Sequence, residues 1–317
     1  MSIHAGHIPT VSVLMSVYNG EQFLGEAVES ILDQTYRDFE FIVVNDGSTD
    51  KTRNILRSYN DRRIVLIHRQ HAGLPEALNH GLSMARGTYI ARMDADDISL
   101  LERLAYQVQF LEENPYAGLV GCQYYEINYQ GDIVQQCQLP TENEHLQKSL
   151  KAGNQFVHGA VVFRKACIKA VGGYREFFRF AQDFDLWLRI AQQYQCANIA
   201  LPLYKLRINP CSQLYQSLKS EQDQCFYAAC ALILAEEREK TGFDRLQQCT
   251  AEEYQLVKDF SFEGRKDVLA KIYFTTSNTL LRRGDIAQAR LLARKACVHA
   301  PLRWKVWKHL LSLYMLS

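Results

Sequence analysis

The chain has 317 residues with 36 Lys plus Arg against 35 Asp plus Glu, a formal net charge of +1 that excludes a uniformly basic nucleic-acid coat protein. Hydrophobic residues make up 47% and charged residues 22%, with 17 Gly and 7 Pro, which excludes dominant disorder and collagen-like or low-complexity structure. The length exceeds the roughly 100–200 residues of a single domain, so one large domain with an appendage, or two domains, is expected.

The first hundred residues alternate between the periods of strand and helix. Val11 to Tyr18 reads as a strand that stops at the turn signal Asn19-Gly20, and Leu24, Ala27, Val28, Ile31 and Leu32 then recur at helical spacing. Phe39 to Val44 is a second strand, cut off by Asn45-Asp46-Gly47-Ser48, after which Ser48 or Thr49 is expected to cap a helix running through Ile55 and Leu56. Ile64 to Ile67 is a short third strand, Leu74 to Ala85 a helix, and Thr88 to Met93 a fourth strand that runs into Asp94. This rhythm predicts an α/β fold with a mostly parallel sheet covered on both faces. Further on, Leu119 to Val134 reads as two strands around Gln130-Gly131-Asp132, Gly159 to Arg164 as another strand, and Asp183 to Tyr194 as a helix.

A soft boundary is expected near Asn209-Pro210, dividing residues 1–210 from a helical region at 211–317. Within that region Lys271 to Arg283, Gly284-Asp285 and Ile286 to Ala300 read as helix, turn, helix. The stretch at about 266–301 weakly matches one tetratricopeptide repeat. Nine cysteines without a Cys-x-x-Cys pair suit reduced thiols in a cytoplasmic protein. Met1 to Thr10 lacks the apolar run of a secretion signal, and Tyr227 to Ala235 falls short of the ~20 residues needed to cross a bilayer.

Carboxylates gather where strands end, the place where an open α/β sheet puts its ligand. Asp46 follows the second strand, and Asp94, Asp96 and Asp97 follow the fourth. Such a cluster is either a hard-cation site or a solvated turn, and its position directly after an apolar strand favours the cation. No Gly-x-Gly-x-x-Gly follows the first strand and no Gly-Lys-Ser/Thr loop occurs, which disfavours nicotinamide-dependent oxidoreductases and P-loop ATPases. A diphosphate bound here has to be met by a divalent cation on carboxylates.

Several of these runs together resemble glycosyltransferase family 2: Val11 to Gly20, Ser30 to Tyr36, Asp38 to Asp50, Gly87 to Asp97 with its Asp94-Ala95-Asp96, and Gln182 to Arg189. The resemblance implies a GT-A fold, Rossmann-like with a mixed but mostly parallel central sheet and here an α-helical C-terminal extension. It also implies inverting transfer of a sugar from a nucleotide diphosphate donor, with UDP favoured. By position, Ser16 and Tyr18 would line the nucleobase pocket, and Asp46 would accept the imide N–H of uracil. Asp94 would face the ribose and Asp96 would bind Mg²⁺ or Mn²⁺, which stabilises charge on the leaving diphosphate. Asp183 would be the general base. Lys205, in Tyr204-Lys205-Leu206-Arg207, would close over the diphosphate, while Arg207 stands where relatives often carry His. His158 and Arg207 are further candidates for contact with donor or acceptor, and Arg103 and Arg164 read as surface or salt-bridge residues.

The partners so implied are a nucleotide-sugar donor and a saccharide or lipid-linked acceptor in cell-surface polysaccharide or glycolipid synthesis, with no nucleic acid. The rival reading is a non-catalytic nucleotide-sugar-binding or scaffold protein acting through its helical tail. The near-zero charge also conceals a polarised chain. Residues 282–317 carry eight Lys or Arg against Asp285 alone, net +7, and the other 281 residues carry 28 basic and 34 acidic side chains, net −6. The basic tail with Trp304 and Trp307 is expected either to contact an anionic membrane surface at its inner, cytoplasmic face, to self-associate, or to pack on the catalytic domain.

Overall fold

The structure is a computed structural model and describes residues 7–208, 224–248, 265–282, 284–301 and 303–315. The described residues fall into two compact units. One lies within Met1–Gln147, Gln155–Arg179 and Arg189–Asn209, the other within Lys148–Asn154, Phe180–Leu188 and Pro210–Ser317. The expected boundary at Asn209-Pro210 lies outside the described residues.

The first unit begins with β1 (Val11–Val17), buried at every position, as a central parallel strand must be when helices cover both faces. In α1 (Leu24–Leu32) the buried set is Leu24, Ala27, Val28 and Ile31, the stripe expected from their 3 and 4 spacing. Burial of Leu24, Val28 and Ile31 contributes about 1.5–3 kcal/mol each. β2 (Phe39–Asp46) is likewise buried throughout, whereas α2 (Thr52–Ser58) starts later than its sequence signal. Ser48 and Thr49 do not cap it. Ser48 Oγ accepts the Asn19 N–H at 2.9 Å and the Thr49 N–H donates to Asn19 Oδ1 at 2.8 Å, so both residues tie the loop after β2 to the loop after β1. Asp50 takes the N-terminal role instead, accepting the Thr52 N–H at 3.0 Å.

β3 (Ile64–Arg69) is the half-exposed edge, α3 (Leu74–Met84) returns the chain, and β4 (Tyr89–Met93) is fully buried. Then follow β5 (Ile98–Ser99), α4 (Arg103–Glu113), β6 (Ala117–Ile127), β7 (Ile133–Cys137), α5 (Asn143–Leu150), a single 3₁₀ turn at His158–Ala160, β8 (Val162–Arg164), α6 (Lys165–Val171), α7 (Gln182–Ala191) and β9 (Gln195–Arg207). One sheet has the order β3-β2-β1-β4-β8-β6-β9-β5, with β7 paired to β6. It is parallel across β3-β2-β1-β4 and between β6 and β9, and antiparallel where β8 intervenes. β9 escapes sequence reading because Pro202 interrupts it. The register shifts around Gln123 opposite Pro202 absorb the missing N–H.

Strand order reverses between β1 and β4, so the loops after their carboxyl ends diverge and leave a crevice there. At the opposite end of the sheet a satisfied polar network locks β1, β2 and the turn before β4. Ser12 Oγ donates to Glu40 at 2.7 Å and accepts the Gly87 N–H at 2.8 Å, while Arg86 pairs with the other Glu40 oxygen at 2.7 Å.

In the second unit α8 (Gln224–Thr241), α9 (Arg245–Gln248), α10 (Lys266–Arg282), α11 (Ile286–His299) and α12 (Trp304–Tyr314) follow in order. Gly284 at φ +80° makes the turn between α10 and α11, and Asp285 caps α11 by accepting the Gln288 N–H at 3.1 Å. Ser277 Oγ, buried, donates to Ala289 O at 2.7 Å and lies 2.9 Å from His309 Nε2, linking α10, α11 and α12. Among the described residues no helix is long and apolar enough to cross a membrane.

Candidate active site

β2 ends on Asp46, 2% exposed, and Gly47 at φ +77° turns the chain there because a side chain would strike the His71 backbone. The buried Asp46 carboxylate is surrounded by donors. Gly73 N–H reaches it at 2.9 Å, Ala72 N–H at 3.2 Å, Arg69 Nε at 3.2 Å and His71 Nδ1 at 2.9 Å. His71 Nδ1 also lies 3.1 Å from the Asp46 carbonyl oxygen. Both neighbours are acceptors, so this ring nitrogen carries the proton. The imidazole stacks on Tyr18, centroids 4.0 Å apart and planes at 26°, and both rings are about half exposed. Ser16, buried on β1 beside Val44 of β2, lies one turn of pleat below Tyr18.

At the end of β4, Asp94 Oδ1 accepts from the buried Arg92 guanidinium at 2.6 Å, and the Asp94 N–H points to the Tyr204 hydroxyl at 3.3 Å. Burial, reinforced by the Asp94 carboxylate, pushes Asp96 up to about 6. Burial with Asp96 and Asp94 nearby pushes Asp97 well above the usual carboxylate range. Two carboxylates that resist being charged together are what a divalent cation relieves. Asp97 already accepts the Arg207 N–H, so Asp96 is the carboxylate that fits Mg²⁺ or Mn²⁺, which take one or two protein carboxylates and draw their other ligands from phosphate and water. Among the described residues no group of three or more His, Cys, Asp or Glu could hold a metal.

Arg207 is not available as a free contact. It is 5% exposed, its N–H donates to Asp97 at 2.7 Å, and its guanidinium serves Asp96 O at 2.8 Å, Tyr129 O at 3.0 Å, Asn128 O at 3.2 Å and Glu26, over the face of Phe23 at 4.3 Å. It therefore braces the loop that presents Asp96. Lys205, partly buried, is two residues closer to the amino end of β9 than Arg207 and is paired with Tyr125 and Ile98. Arg103, expected at the surface, is fully buried. Its Nε donates to Ser99 at 2.7 Å and its terminal nitrogen to Gly159 O at 3.0 Å and Arg92 O at 3.1 Å. Arg164 likewise binds carbonyls, Leu111 O at 2.5 Å and Ala117 O at 2.9 Å. Polar backbone groups far away in sequence supply the partners that make these burials tolerable.

His158 Nε2 lies 2.9 Å from the Tyr174 hydroxyl, and burial with Arg92 nearby depresses the ring to about 3. Its neighbour Gly159 is the floor of the site, because a methyl group there would sit on the Tyr204 hydroxyl and 2.8 Å from Asp94 Oδ2. Asp183 belongs to the other unit, in the first turn of α7, where it accepts from the Asn154 amide at 2.7 Å. The first unit thus brings together Ser16, Tyr18 and Asp46, and separately Asp94, Asp96 and Arg207 with His158 close by. Sequence reasoning missed His71, Arg69 and Tyr204. Arg69 ends β3 and His71 stands two residues beyond it, and Tyr204 stood unused within a run already singled out for its basic residues.

The model of the family described as glycosyl transferase family 2 matches residues 12–170. The chain belongs to glycosyltransferase family 2. It is 37% identical over 209 residues to EpsE of Bacillus subtilis (strain 168), covering 63% of this chain and 73% of that protein. It is 34% identical over 192 residues to the O-antigen biosynthesis glycosyltransferase WbnJ of Escherichia coli, covering 60% and 74%. Among solved structures, S. aureus TarS 1-349 in complex with UDP-GlcNAc superposes with a TM-score of 0.58 at 16% identity, over 93% of both chains. The mannosyltransferase PcManGT from Pyrobaculum calidifontis, in complex with GDP-Man and Mn²⁺, does so with a TM-score of 0.55 at 19% identity, over 98% of this chain and 86% of the other. These likenesses give the fold, GT-A, and the family makes the chain a glycosyltransferase enzyme.

Proposed function

We propose that this glycosyltransferase moves a sugar, with inversion, from a UDP-sugar to a hydroxyl acceptor in cell-surface polysaccharide or glycolipid synthesis, in the cytoplasm. The observation that carries the donor reading is His71. A planar ring already stacks on Tyr18 and presents an N–H to Asp46, and a uracil needs the same two interactions, a stacking face and an acceptor for its imide N–H. The base would therefore take the place of this half-exposed imidazole, with Ser16 at the pocket wall.

Asp94, held by Arg92, then faces the ribose, and Asp96, braced through Arg207, is the residue that would hold Mg²⁺ or Mn²⁺. The metal, when bound, supplies Lewis-acid stabilisation of the charge that develops on the departing UDP. Lys205 adds a cation toward the same diphosphate. Asp183, oriented by Asn154, takes the proton of the acceptor hydroxyl as that oxygen attacks the anomeric carbon and the bond to the diphosphate breaks. Such general-base assistance is worth typically ~10²–10⁴-fold. Attack from the side opposite the leaving group inverts the anomeric centre. The kinship with WbnJ, named for O-antigen biosynthesis, supports a surface-glycan acceptor.

The test is a panel of nucleotide sugars assayed for thermal stabilisation and for transfer or donor hydrolysis, with and without Mn²⁺. Asp183→Asn is expected to keep donor-induced stabilisation and lose turnover. Unchanged turnover in that variant refutes the base assignment, and preferential stabilisation by GDP-sugars refutes the uridine reading.

A further inference from the structure

The basic C-terminal helices carry an apolar stripe that stands exposed among the described residues. In α12, Val306, Leu310 and Leu313 are buried, which accounts for one side of the helix. On the other side Trp304 is 69% exposed, Leu311 54% and Met315 85%, with Trp307 and Tyr314 about two-fifths exposed. At 100° per residue these five positions fall within an arc of about 100° that starts about 40° beyond Leu310 at Tyr314 and runs around the helix to Met315. An isolated exposed Leu needs no explanation, but a continuous stripe of two Trp, a Tyr, a Leu and a Met does.

Cations border this stripe on both sides. Lys308 and Lys305 follow it around the helix, and Lys305 is exposed. On the other border Arg290 and Arg294 of α11 lie over the Tyr314 ring, at 5.1 and 5.3 Å, and Arg290 also donates to Leu313 O at 2.8 Å at the end of α12. Residues 282–317 have eight basic side chains and one acidic, net +7. A self-complementary pairing of two copies through this stripe would set these like charges against one another. An anionic surface with an apolar interior meets both the stripe and its borders.

We infer that α12 docks in the plane of a bilayer rich in anionic lipid headgroups, with Trp304, Trp307, Leu311 and Met315 entering the headgroup boundary and Lys305, Lys308, Arg290 and Arg294 on the lipid phosphates. Its 11 residues are too few to span, so the helix lies on the surface. Trp is the residue that settles at this boundary, apolar ring inward and N–H outward. The Trp307 N–H already has a partner, Pro301 O at 2.8 Å, so burying that ring leaves no donor unmet. The inference concerns the second unit alone and stands whether or not the donor reading holds.

The experiment is co-sedimentation of the full chain with phosphatidylcholine vesicles made with and without phosphatidylglycerol, together with intrinsic Trp fluorescence. Trp187 is buried, so a blue shift on binding reports Trp304 and Trp307. Binding is expected only with phosphatidylglycerol and to weaken as salt rises. Lys305→Gln with Lys308→Gln should weaken partitioning about fivefold for each lysine. Trp304→Ser with Leu311→Ser should weaken it on the order of tenfold or more. Both pairs replace side chains outside the buried face, and unchanged circular dichroism and melting confirm the fold. The inference is overturned if the chain fails to bind, binds neutral vesicles equally well, or if either folded variant binds like wild type. It is also overturned if Trp304→Ser with Leu311→Ser splits a dimer in sedimentation without altering vesicle binding, since a second copy then covers the stripe.

Discussion

Gly159→Ala adds one methyl group under the candidate donor site. The new carbon falls on the Tyr204 hydroxyl and 2.8 Å from Asp94 Oδ2, and neither neighbour can give way easily. The Tyr204 ring is completely buried, and Asp94 is held by Arg92 at 2.6 Å. Overpacking of this kind costs about 1–3 kcal/mol. For a domain of this size each kcal/mol lowers Tm by about 2–4 °C, so a drop of roughly 2–12 °C is expected. If Asp94 yields by about 1 Å, transfer falls on the order of 10²-fold.

Tyr204→Phe removes the atom the methyl strikes and leaves the Asp94 N–H without its acceptor, at a cost of about 1 kcal/mol. In that background Gly159→Ala should cost at least about 1 kcal/mol less, a coupling read from thermal or denaturant melts of the four proteins. Additive costs, or a Gly159→Ala protein that melts and turns over like wild type, would refute the reasoning.

His71→Ala removes the imidazole stacked on Tyr18, worth about 0.5–1.5 kcal/mol, so UDP should bind roughly 2–12-fold tighter by calorimetry. Weaker binding would mean the ring stays to hold the base. Arg207→Lys cannot reproduce a fork that serves Asp96 O, Asn128 O, Tyr129 O and Glu26, and should destabilise the fold by about 3 kcal/mol in urea melts while raising the Mn²⁺ needed for half-maximal transfer. His158 sits at about 3 instead of 6.5, so below pH 6.5 the unfolded chain takes up a proton that the folded one refuses. Its share of stability is therefore present above pH 6.5 and lost as pH falls, by up to about 1.4 kcal/mol per unit. Asp96, raised by burial, contributes the opposite slope between about pH 4 and 6. The difference between wild type and His158→Gln across that range isolates the histidine, and identical slopes would refute its burial as a neutral ring.

Much of this protein is legible in its sequence, and the reason is local. Val11 to Val17 and Phe39 to Asp46 are apolar without alternation because both faces of a central parallel strand are covered, and the stripe of α1 repeats every turn. The acids at the strand ends announce the site because an α/β sheet binds beyond its carboxyl edge. What sequence could not show is which charges are buried. Arg103 looks like a surface residue and Arg207 like a donor or acceptor contact until the fold brings Gly159 O, Asp97 and Asp96 O to them from 56, 110 and 111 residues away. Ser48 and Thr49 have the chemistry of a helix cap, yet Asn19 competes for them from 29 and 30 residues upstream. Periodicity and turn chemistry act between neighbours and so can be read along the chain. The cost of burying an arginine or a carboxylate is met by partners that only the folded sheet brings within hydrogen-bond reach.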